Sequence, residues 1–88
     1  MDNPPVPDFS FFITTLALQA SIALGEIPSP VTDKTETDPS QAKFLIDTLA
    51  MLQEKTKSNL TTDEAALLEN VLYDLRMVYV KKNTGEEK

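Results

Sequence analysis

Cysteine, histidine and tryptophan are all missing from the 88-residue chain. Without cysteine there is no disulfide framework and no thiolate for catalysis or metal binding, which fits a reducing compartment. Without histidine the chain lacks the usual general base near neutral pH and the commonest metal ligand. A zinc site would need carboxylates alone, an unusual set. Glycine occurs only at Gly25 and Gly85, so no phosphate-cradling loop can be built. Basic charge is scarce too: eight Lys and Arg face fourteen Asp and Glu, a net charge of −6. A duplex-binding protein needs a basic face to displace counterions, so nucleic acid is not an expected partner. The same shortage argues against an anionic membrane surface reached by charge alone.

Catalytic constellations are equally thin. No Ser/His/Asp or Cys/His set can form, and the carboxylates fall at helix caps, in loops or on polar helix faces. Asp33, Glu36 and Asp38 share one loop but lack the spacing and turn glycine of a dedicated calcium site. The expectation is a protein that is not an enzyme, with no cofactor and no metal. The leading residues Met1 to Pro7 contain no positive segment of a secretory signal, so a cytoplasmic location is expected.

What is present is helical patterning. With 41% hydrophobic and 25% charged residues, the composition is that of one small globular domain. Three prolines among residues 1–7 predict a flexible tail over 1–8. Asp8 is a candidate N-cap for a first helix over 9–24, FSFFITTLALQASIAL, with Gly25 as its left-handed C′ residue and Pro28 preventing continuation. A loop follows over 25–38, rich in Pro, Thr, Asp and Glu. Asp38, Pro39 and Gln41 form a capping signal for a second helix over 39–57, with apolar positions at Ala42, Leu45, Ile46, Leu49 and Leu52. Asn59 is the expected terminator. Thr61 and Glu64 form a second capping box for a third helix over 62–82. Its stripe is Ala65, Leu68, Val71, Leu72, Leu75, Val78 and Tyr79, and a polar tail is expected over 83–88. The short link between the last two helices predicts an antiparallel hairpin. The fold class expected is all-α, three helices, with the uncharged first helix packed on the hairpin in its own chain or across a dimer.

Two surfaces stand out. The first helix has eleven apolar residues of sixteen and no charge. Core packing, membrane association and an apolar-ligand site compete to explain it, and core packing is the expectation. It is short for a span and lacks basic or tryptophan flanks. On the third helix, Ala66, Tyr73, Met77 and Val80 form a second apolar row off the main stripe. The expectation is that the first helix covers this row. The alternative is a docking surface for a partner's helix. Candidate interaction residues are therefore Phe9, Phe12, Leu16, Ala17 and Ala20 with Ala66, Tyr73, Met77 and Val80. Arg76, the only arginine, is expected to form a structural ion pair with Asp47 across the hairpin.

The segments Leu24-Gly25-Glu26-Ile27-Pro28, LAMLQEKTKSNLT at 49–61 and VLYDLRMVYV at 71–80 resemble a family of short bacterial proteins catalogued as domain of unknown function 1844. The resemblance runs from about Phe9 to Val80. It implies a small helical bacterial protein and carries no activity and no catalytic residues. The functional expectation is a non-catalytic helical interaction module that self-associates as a homodimer or other homo-oligomer, or binds an unidentified protein. The alternative is a peripheral membrane protein that inserts helix 9–24.

Overall fold

The computed structural model describes residues 7–84, with side chains described to Lys82. Three helices follow one another: α1 (Phe9–Ala23), α2 (Pro39–Lys55) and α3 (Thr62–Thr84). Each packs on the other two, so α1 docks within its own chain. Among the described residues the fold is all-α, and one isolated antiparallel backbone pairing joins Leu24 to Thr37. The tails expected over 1–8 and 83–88 lie largely outside the described residues. Asp8 is structured as a cap, and the backbone of residues 83–84 continues α3.

Each helix starts where a short polar side chain can satisfy its free amides. The Phe11 amide donates to Asp8 Oδ2 at 2.8 Å, and the Gln41 amide donates to Asp38 Oδ1 at 3.2 Å. At α3 the capping box closes in both directions. The Glu64 amide donates to Thr61 Oγ1 at 3.1 Å, and the Thr61 amide donates to Glu64 Oε1 at 2.9 Å. At α2 the Asp38 amide instead donates to the Ala23 carbonyl at 2.7 Å. That bond ties the start of α2 to the end of α1, and with the Leu24–Thr37 pairing it closes the long loop at its base.

The helix ends follow the same accounting. The Glu26 amide reaches the Ser21 carbonyl and the Gly25 amide the Ile22 carbonyl, both at 3.0 Å, a Schellman closure. Gly25 sits at φ 81°, and a Cβ there would meet Thr37 Cγ2 at 2.7 Å. Leu24 is thus the cap of α1, not its last turn. α2 stops at Lys55, two residues before the expected end. Thr56 caps it, with its Oγ1 donating to the Leu52 carbonyl at 2.7 Å. The left-handed residue beyond is Ser58 at φ 73°, in place of Asn59.

Among the described residues every buried side chain is apolar. Ile13, Leu49, Leu68 and Leu72 are its largest fully buried side chains, drawn from all three helices. Ala20 and Ala42 are also fully buried, and these small residues leave room for close helix approach. The loop from Val31 to Asp38 stays exposed. At the rim, Lys82 near the end of α3 reaches Glu26 after α1 at 3.1 Å.

Candidate interaction surface

α3 has two apolar sides. At about 100° per residue, Ala66, Tyr73, Met77 and Val80 lie roughly 110–180° round the helix from the line of Leu68, Leu72 and Leu75. The inner line is buried. The outer row is not: Tyr73 is 63% exposed, Met77 55% and Val80 57%. Ala66 is exposed as well. The expectation that α1 covers this row is overturned. α1 lies against the inner side, where its Ile13 and Ala20 join the Leu68 and Leu72 cluster.

An open recess of about 580 Å³ runs beside the outer row. Tyr73, Met77 and Val80 supply its apolar wall, with Glu69, Asn70 and Arg76 beside them on α3 and Gln53 contributed by α2. Among the described residues the ion pairs are Lys43–Asp47, Lys57–Glu54 and Lys82–Glu26. Glu69 and Arg76 take part in none of them. The recess therefore presents an aromatic ring, a flexible thioether and one charge of each sign.

The expected Arg76–Asp47 pair is not formed. Asp47 Oδ2 accepts from Lys43 Nζ at 2.7 Å, four residues back on the same helix. A partner one turn away needs no tertiary alignment, so it wins the contact. The Asp47 carboxylate raises the Lys43 pKa above the ordinary lysine value, chiefly through this hydrogen bond.

The α1 candidates separate. Ala20 is 0% exposed and belongs to the core, so it cannot contribute to an outer surface. Phe9, Leu16 and Ala17 are half-buried against that core. Phe12 is 48% exposed, and Phe11 and Leu18 are exposed with it. On α2, Phe44 and Met51 are exposed one above the other at a seven-residue spacing. They were absent from the sequence-derived candidates, although that spacing off the Leu45–Leu49 stripe marks a second face.

Chemically, the described residues offer no group of three or more acidic side chains placed to hold a metal ion. No helix is long and apolar enough to cross a membrane among the described residues. The geometry defines a three-helix all-α protein with an apolar core and an outward apolar row on its longest helix. The chain belongs to the family described as Domain of unknown function (DUF1844), whose sequence model matches residues 6–81. The matched span takes in α1, α2 and the whole outer row of α3. No curated protein and no solved structure matches the chain.

Proposed function

We propose that this protein is a non-catalytic helical interaction module that binds another helix along the outer row of α3. The reading takes α2 and α3 as an antiparallel hairpin braced by α1, working in the cytoplasm without metal or cofactor. One observation carries it. Tyr73, Met77 and Val80 stand exposed on the side of α3 that its own core does not use. Large apolar side chains grouped on one helix face are the usual anchor of helix-on-helix recognition. Tyrosine and methionine suit this work, the first as a rigid anchor and the second as an adaptable one.

The test is the paired variant Tyr73→Asp/Met77→Asp, checked for wild-type helicity by circular dichroism. Wild type should form a cross-linked complex, with itself or with another protein, in cells of its host. The paired variant should lose at least nine-tenths of it. Full retention of every complex by the folded variant would sink the reading.

A second reading, peripheral membrane association, draws support from exposed Phe11, Phe12 and Leu18 on the uncharged α1. Flotation with neutral liposomes separates the two, because the α3 variant should leave flotation unchanged.

A further inference from the structure

We propose that the partner on the outer row of α3 is a second copy of this chain, lying antiparallel, with Glu69 of each copy against Arg76 of the other. The inference rests on the interaction reading above and adds the occupant, the direction and the register.

The charge pattern chooses the direction. The outward seam runs Ala66, Asn70, Tyr73, Met77 and Val80, alternating steps of four and three, the spacing of a helix-pairing seam. Glu69 and Arg76 flank it on one side, seven residues apart, so they occupy equivalent positions on successive heptads. Asp74 and Lys81 flank it on the other side, again seven apart. In a parallel pair, each flanking residue meets the opposite flank of its neighbour about five residues further on. Glu69 would then face Asp74 of the second copy, and Arg76 would face Lys81. All four contacts of that pair are between like charges. In an antiparallel pair, equivalent flanks meet. Glu69 then faces Arg76 of the second copy, and the two-fold repeats the contact. Opposite charges on a seam's edges set partner and direction in this way.

The same register suits the seam. With the two-fold between residues 71 and 72, Ala66 falls opposite Met77 of the second copy, small against long. Asn70 falls opposite Tyr73, placing an amide beside a phenol. On their own chain, Glu69 and Arg76 have no charged side chain three or four residues away on α3. Lys57 shares a recess with Glu69, and its ammonium lies 3.9 Å from Glu54. The contact is one helix wide, below the roughly 800 Å² per partner of tight complexes, so a micromolar dimer is expected.

Sedimentation of the full chain between about 1 µM and 1 mM tests this, with helicity checked for each variant. Wild type should pass from monomer to dimer. Glu69→Arg and Arg76→Glu should each weaken the dimer about tenfold, because each sets like charges against each other twice. The double variant Glu69→Arg/Arg76→Glu should recover to within about threefold of wild type, and so should an equimolar mixture of the single variants. A dimer unmoved by Glu69→Arg overturns the register, as does a folded double variant that stays as weak as the singles. A wild-type chain that is monomeric throughout overturns the second copy as occupant. If that monomer still forms a complex lost in Tyr73→Asp/Met77→Asp, the interaction reading survives with a different partner.

Discussion

The two sides of α3 carry similar side chains and meet opposite fates. On the inner side, Leu68, Leu72 and Leu75 are buried against α1 and α2. On the outer side, Tyr73, Met77 and Val80 remain in water. Two helices can close only one side of a third, and α1 and α2 spend their apolar stripes on the same side. The difference in chemistry is informative. The inner residues are leucines, which fill a dry core in well-defined rotamers. The outer ones include a phenol and a thioether, which tolerate water and still bury well when covered.

The comparison breaks most visibly at the inner side. Leu72→Ala should cost about 2–5 kcal/mol, because it removes a fully packed side chain where three helices meet. For a chain this small, that is roughly 10 °C or more in melting temperature by calorimetry. A loss below about 1 kcal/mol would mean that the inner side is not the true core.

The connection that holds α1 to the inner side is the next most sensitive point. Gly25→Ala should cost about 1–3 kcal/mol, since φ 81° disfavours any Cβ and the added carbon would meet Thr37. Denaturant titration checks it. Replacement of Gly25 by asparagine should relieve only the backbone part of that cost, because asparagine tolerates the left-handed region but sets the same Cβ against Thr37.

The parts of this fold that can be read from sequence are those set by few atoms at fixed spacing. Asp8, Asp38 and the Thr61–Glu64 pair all cap where they are expected, because a cap is decided within four residues. Ala42, Leu45, Ile46 and Leu49 are buried as their period requires. The face of α1 is different. Its apolar residues surround the helix, so nothing local says that the Ile13–Ala20 line turns inward. Ala20 was accordingly misplaced on an outer surface. The same holds for the Asp38–Ala23 hydrogen bond, which joins residues fifteen apart and depends on how the loop closes. The fate of the outer row was misjudged for one further reason. Periodicity reveals that a face is apolar, whereas its burial depends on how many faces the rest of the chain has to offer.

The smallest expected effect is the sharpest test of the contrast. Met77→Ser, measured in dilute solution where chains are separate, should change unfolding free energy by no more than about 0.5 kcal/mol. The side chain is 55% exposed, so truncation leaves little cavity and uncovers little new surface. Raising the protein concentration should then separate the variant from wild type. A partner that binds only the folded state adds stability by mass action, and only wild type keeps the full seam. Wild type should gain melting temperature with concentration, and Met77→Ser should gain less. A cost above about 1 kcal/mol in dilute solution would mean that Met77 packs within its own chain, and the distinction between the two sides of α3 would fall.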